Sequence, residues 1–316
     1  MPKKNIEPRT MISVIVPTYN RPDMLIETIN SILNQSYQDF EIIVINDAGI
    51  DVESKIKLLN KNNNIKYLAH TENKGLAAAR NTGIKEAKGK YIAYLDDDDI
   101  FYPDHLETLV NFLENQEYKL AYTDAYRVIQ EKQNSNYVVK KKDMPFSLDF
   151  DYDRILVENF VPILCLMHER SCLEEIGLFD EKLTVCEDWD FLIRLSRKFE
   201  IAHVKKVTSE VTWRTDGTNM ISSRSTDFGR TFKIIYEKHR AYSQNKPSLL
   251  IAQMETLASF LEGKIKEKVQ LIESIYSSSR TWKVGRIVTA PWRILKRFLR
   301  LDFFRRVRNE LSNYKP

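Results

Sequence analysis

The chain has 316 residues, is 43% hydrophobic and 29% charged, and carries a net charge of +4. That is an ordinary globular composition, long enough for one large domain or one domain with an appendage. Three cysteines, Cys165, Cys172 and Cys186, make an odd number without scaffold-like spacing, which argues against a disulfide framework and fits a reducing, cytoplasmic setting. No stretch approaches the ~20 apolar residues of a membrane span, and residues 1–9 are polar with no signal-peptide core, so the expectation is a protein neither integral to the membrane nor secreted.

The first predicted element is a buried strand over 11–17, an apolar, β-branched run ended by Pro17. Residues 23–34 follow with Met24, Leu25, Ile29, Ile32 and Leu33 at helical spacing, and Arg21-Pro22-Asp23 supplies the start signal. A second buried strand is predicted over 40–46, a helix over 52–59, a third strand over 65–69, an Ala-rich helix over 75–87 and a fourth strand over 91–95. Strands alternating with helices predict a mostly parallel, Rossmann-like sheet with helices on both faces. Ligands bind such sheets at the carboxyl ends of the strands, where Asp96-Asp97-Asp98-Asp99 lies. Past a helix at 106–117 the pattern changes. Strands are predicted over 120–128 and 137–142 around a polar connection, helices over 171–177 and 186–199, and a strand over 204–213; residues 148–160 stay ambiguous. From about Phe228 the pattern is helical, and a boundary is placed near Arg224.

Three stretches carry chemistry. Four adjacent carboxylates after a buried strand read either as a solvated acidic turn or as a divalent-cation site, since Mg²⁺ and Mn²⁺ take hard oxygen ligands from one or two carboxylates plus substrate phosphates. Glu187-Asp188-Trp189-Asp190 opens a predicted helix, where acids complement the helix dipole or provide a general base for a hydroxyl. Asn73-Lys74-Gly75 and the Ala-rich run to Arg80-Asn81 combine small residues with two cations that could face phosphates. The five histidines show no metal-ligand spacing.

Taken together, Val14-Ile15-Val16-Pro17-Thr18-Tyr19-Asn20, residues 41–47, residues 73–81, residues 91–99, Gly177-Leu178-Phe179-Asp180-Glu181 and Glu187-Asp188-Trp189 resemble family-two glycosyltransferases of the GT-A fold. They fall in family order across residues 11–219. The resemblance implies an inverting sugar transfer from a nucleotide-sugar donor, a UDP-sugar by default, to a hydroxyl of a glycan, lipid-linked or protein-linked acceptor. It implies that Pro17, Thr18, Tyr19 and Asn20 line the base and ribose pocket, that Asp47 contacts base or ribose, and that Lys74, Arg80, Asp96 and Asp97 lie at the donor. Asp96 and Asp98 match the family's Asp-X-Asp pair, with Asp98 toward Mn²⁺ or Mg²⁺, and Asp188 matches the base. Residues 1–224 are then the catalytic domain (11–99 the donor half, 100–224 the acceptor half), and 225–316 a helical extension.

One departure stands out. The family often carries an aromatic-Arg-X-His run, and here it reads Trp213-Arg214-Thr215-Asp216. Asp216 therefore occupies the position of a His that can hold metal or diphosphate, and is an expected third ligand. A sugar nucleotidyltransferase is the rival enzyme, but it would need a Gly-rich basic loop where Pro17-Thr18-Tyr19-Asn20 stands. A non-catalytic nucleotide-sugar-binding or assembly subunit would predict damaged acids, and both acidic clusters are intact. No Gly-X-Gly-X-X-Gly follows the first strand, which argues against a dinucleotide oxidoreductase. Residues 280–310 interleave ten Lys and Arg with Trp282, Trp292, Phe298, Phe303 and Phe304. That tail fits docking on an anionic membrane surface at the inner face of the cell membrane, or packing in a homo-oligomer; no basic groove for nucleic acid accompanies it.

Overall fold

The computed structural model describes residues 11–134, 136–216 and 228–277. The expected boundary near Arg224 and the basic tail lie outside them. The chain divides into two compact units between Thr231 and Phe232.

In the first unit the strands are β1 (Ile12–Thr18), β2 (Phe40–Asn46), β3 (Ile65–Ala69), β4 (Tyr91–Tyr94), β5 (Ile100–Phe101), β6 (Leu120–Gln133), β7 (Asn136–Phe146), β8 (Leu166–Glu169) and β9 (Ala202–Arg214). Its helices are α1 (Pro22–Leu33), α2 (Glu53–Leu59), α3 (Leu76–Glu86), α4 (His105–Asn115), α5 (Cys172–Ile176) and α6 (Glu187–Ser196). One sheet holds all these strands in the order β3-β2-β1-β4-β8-β6-β9-β5, with β7 paired to β6.

β3, β2, β1 and β4 are mutually parallel, as the strand–helix alternation predicts. Beyond β4 the sheet is mixed: β8 joins β4 and β6 antiparallel, β7 folds back on β6, and β9 runs parallel to β6. β8 and the two-residue β5 were not anticipated. β8 has no strand–helix alternation around it to mark it, and its place is set by the neighbours it bridges.

The core lies between the sheet and its helices. β1 is buried along its whole length, as expected of a central parallel strand that exposes no face to water. α1 starts with Pro22 in its first turn and buries Leu25, Ile29 and Ile32. α3 buries Ala77, Ala78 and Ala79, and its small side chains let it lie close on β1 and β2. Gly83 makes that closeness explicit: a Cβ there would meet Ile15 Cγ2 at 2.6 Å and Ile45 Cδ1 at 2.8 Å.

The second unit is helical, with α8 (Arg240–Ser243) and the long α9 (Pro247–Ser277); α7 (Phe228–Lys238) crosses the division. Phe232 and Phe260 meet edge to face at 4.8 Å between ring centres. Among the described residues no helix is long and apolar enough to cross a membrane.

Candidate active site

The acidic turn begins where β4 ends. Leu95 N–H still pairs with Ile15 C=O, and Asp99 N–H then closes a turn on Asp96 C=O at 3.1 Å. The turn sends four carboxyl groups to different partners, which is how they coexist. Asp96 accepts from Arg80 Nη2 at 2.7 Å. Asp97 accepts from the Thr18 hydroxyl at 2.7 Å and Arg21 Nη1 at 2.9 Å. Asp98 Oδ2 accepts from Arg214 Nη1 at 2.6 Å and faces Arg21 at 3.1 Å. Asp99 is buried and accepts the Thr212 backbone N–H at 2.7 Å. Burial raises the carboxyls of Asp97, Asp98 and Asp99 above the ordinary range, Asp97 to about 6.

The second acidic cluster reaches the same place through Arg80. This side chain is 1% exposed, and its guanidinium bridges Asp96 and Glu187, residues that stand on β4's turn and on α6. Burial works against its charge, but Asp96 and Glu187 outweigh that and hold its pKa above the ordinary value. Phe179 packs beneath the guanidinium at 5.5 Å, and Asn81 fixes that segment by accepting Phe179 N–H and donating to Glu181. This gives a physical role to Gly177-Leu178-Phe179-Asp180-Glu181: it floors the arginine that joins the two clusters.

Asp188 lies one residue on, half-buried at the start of α6. Its Oδ1 accepts Trp189 N–H at 2.8 Å and its Oδ2 accepts Asn159 Nδ2 at 3.1 Å. Burial raises its carboxyl, and nearby Arg80 partly offsets this. Cys186, the residue before α6, adopts a left-handed conformation with φ 59°, which turns the chain sharply into the helix that carries both acids.

On the other side of β1, Asp47 is 4% exposed and organises the loop before α3. It accepts Lys74 N–H at 2.9 Å, Gly75 N–H at 2.8 Å and His70 Nδ1–H at 2.6 Å. Gly75 sits at φ 90°, which a side chain would strain. Pro17 is buried in β1, Tyr19 is 47% exposed, and Asn20 Oδ1 accepts Ile50 N–H at 2.9 Å. The Lys74 side chain is exposed.

The structure thus brings Asp96, Asp97, Asp98, Arg80 and Asp188 into one region, with Thr18 and Asp47 at the adjoining strand ends. Asp216 is exposed and accepts the Tyr137 hydroxyl at 2.7 Å, from β7, and the Tyr137 ring lies against Arg214, the partner of Asp98. Arg21, Arg214, Asn159 and His70 are the residues that sequence reasoning missed. Arg21 and Arg214 find their aspartates 76 and 116 residues away.

Among the described residues no three His, Cys, Asp or Glu side chains converge as a ready-made cation site. The donor set still fits a divalent cation. Asp96–Asp99, Glu187 and Asp188 share the guanidiniums of Arg21, Arg80 and Arg214, so acid exceeds base, and Asp96 Oδ2 and Asp98 Oδ1 accept no hydrogen bond among the described residues. Two hard oxygens completed by phosphate suit Mg²⁺ or Mn²⁺.

The model of glycosyl transferase family 2 matches residues 13–174. The chain belongs to glycosyltransferase family 2. An uncharacterized glycosyltransferase of Rickettsia bellii is 33% identical over 232 residues, covering 73% of this chain and 33% of that protein. The glycosyltransferase YwdF of Bacillus subtilis is 35% identical over 194 residues, covering 61% of this chain and 70% of YwdF. The chain spans about a third of the length of the first Rickettsia relatives it matches. Among solved structures, residues 1–349 of S. aureus TarS with UDP-GlcNAc superpose with a TM-score of 0.61 at 22% identity, covering 84% of this chain and 80% of that one. The mannosyltransferase PcManGT of Pyrobaculum calidifontis, in complex with GDP-Man and Mn²⁺, superposes with a TM-score of 0.51 at 17% identity, covering 90% and 88%. These likenesses show the GT-A fold.

Proposed function

We propose that this family 2 glycosyltransferase moves a sugar from a nucleotide-sugar donor to an acceptor hydroxyl with inversion, Asp188 acting as base. The observation that carries this is the Arg80 bridge, which ties the acidic turn after β4 to the start of α6. A diphosphate leaving group and a nucleophile would have to meet between two such clusters. Asp188 has its carboxylate held by Trp189 N–H and Asn159 and would take the acceptor proton as the oxygen attacks. Thr18, Tyr19 and Asn20 at the end of β1, with Asp47 at the end of β2, would hold the nucleoside, and Lys74 and Arg80 would face the donor. Asp96 and Asp98 would hold Mn²⁺ or Mg²⁺, which supplies Lewis-acid neutralisation of the departing diphosphate. TarS is described with UDP-GlcNAc and PcManGT with GDP-Man; a UDP-sugar is the donor proposed for this chain, and a glycan, lipid-linked or protein-linked hydroxyl its acceptor.

The test is transfer and donor hydrolysis with and without chelator. Chelation should abolish both and Mn²⁺ or Mg²⁺ restore them; full turnover in excess chelator would contradict the assignment of Asp96 and Asp98.

A further inference from the structure

We propose that His70 is a positioning residue for donor binding, acting through Asp47. It rests on the donor-binding role proposed above for Asp47 and deepens it by naming what holds that carboxylate in place.

His70 follows β3 directly, and its N–H pairs with Asn46 C=O at 2.9 Å, extending the parallel ladder by one residue. Asp47 likewise extends β2, with its N–H on Thr18 C=O at 2.9 Å. The two side chains therefore project from adjacent strand ends and meet, Nδ1 to Oδ1, at 2.6 Å. Both are nearly closed to solvent, at 8% and 6% side-chain exposure. The other ring nitrogen, Nε2, lies 2.9 Å from the Thr82 hydroxyl on α3.

The partners fix the proton. A carboxylate only accepts, so Nδ1 carries the hydrogen in the neutral ring, and Nε2 accepts from Thr82. The imidazole thereby clamps three elements, β2, β3 and α3, around one carboxylate. Asp47 uses the geometry so set to order the backbone before α3, through Lys74 N–H and Gly75 N–H. Without His70, Oδ1 of a nearly buried carboxylate loses its strongest partner. Asp47 would be held only by the Lys74 and Gly75 N–H groups of the loop it is meant to order, and both the nucleoside contact and the Lys74–Gly75 turn would loosen. Among the described residues the side chains of His70, Asp47 and Thr82 make no hydrogen bond to Asp188 or to the acidic turn. The effect should therefore fall on donor affinity and leave the chemical step alone.

The experiment uses the full chain. Calorimetric titration with UDP and with GDP gives the Kd of the nucleotide, and steady-state donor hydrolysis separates KM from kcat. His70→Ala should raise Kd and donor KM about tenfold, the usual consequence of losing a hydrogen bond to a charged group, with kcat within about twofold. His70→Asn returns an amide donor near the Nδ1 position and should restore Kd to within about threefold. His70→Gln presents its amide near the Nε2 position and should not. A histidine that only braced the fold would lower Tm and leave Kd and KM unchanged, and that result overturns the proposal. Should His70→Ala fail to fold, the Asn and Gln variants decide alone: equal Kd for the two overturns it. If the wild-type chain binds neither nucleotide and hydrolyses no nucleotide sugar, the proposed function itself has failed, whatever the His70 variants do.

Discussion

Asp99 and Asp188 show how burial sets the job of each carboxyl. Asp99 is closed off and accepts a backbone N–H, and its pKa is held well above the usual value by burial, with Asp98 and Asp96 adding to it. Its charge is a cost to the fold, whereas its acceptor is needed. Asp99→Asn should therefore leave Tm unchanged or raise it, while Asp99→Ala strands the Thr212 N–H and should lose about 1–3 kcal/mol; equal destabilisation by both would refute this. Asp97 follows the same sign. Its folded pKa of about 6 lies above the ordinary 3.8, so the folded chain binds its proton more tightly than the unfolded chain does. In metal-free buffer its contribution to stability is full below the ordinary value and falls as pH rises toward about 6, a slope that denaturant melts of wild type and Asp97→Asn can compare. Asp188 is also raised, chiefly by burial, and a base must be unprotonated. The acid limb of kcat/KM, which reports the free enzyme, should thus sit above the ordinary carboxylate range, and a limb at or below 3.8 would argue that another group titrates. The identity of these acids was legible in the sequence because they are adjacent. Their partners were not, since Arg21, Arg214 and Asn159 are joined to them only by the folded sheet.

α3 is the element whose sequence says most about its packing. The run from Ala77 to Ala79 was readable as a small-sided helix, but the need for Gly83 was not, because it depends on where Ile15 and Ile45 lie. Alanine favours a helix over glycine by about 1 kcal/mol, yet here its Cβ would strike Ile15 Cγ2 and Ile45 Cδ1 at 2.6 and 2.8 Å. Gly83→Ala should lower Tm in spite of propensity, and Ile45→Val, which deletes one of the two atoms, should recover part of the loss in the double variant. Additive losses would show that the clash is not the cause. α6 was foreseen from its apolar spacing, whereas the left-handed Cys186 before it had no sequence signal: a cysteine there reads as an ordinary buried residue until its φ is known.

For the whole molecule, periodicity carried the reading as far as β4 and then weakened. The first half is parallel, with β1, β2 and β4 almost wholly buried between alternating helices, and β3 only partly so, and the alternation announces each element. The second half is mixed, and its strands are placed by pairing: β8 bridges β4 and β6, and β7 depends on a hairpin with β6. The basic, aromatic stretch after residue 280 lies outside the described residues and is open to direct test. Sedimentation with anionic but not neutral vesicles, weakened by salt and abolished by truncation before Arg280, is the outcome expected of a surface-docking tail; loss of an oligomer on truncation would make it an assembly element instead. The central claim concerns turnover. A panel of nucleotide sugars with Mn²⁺ or Mg²⁺ should yield hydrolysis of at least one by the wild-type chain, and Asp188→Asn should cut that rate by about 10²-fold or more with nucleotide Kd preserved. Near wild-type hydrolysis by Asp188→Asn, or no turnover of any donor by the wild-type chain, would contradict the account.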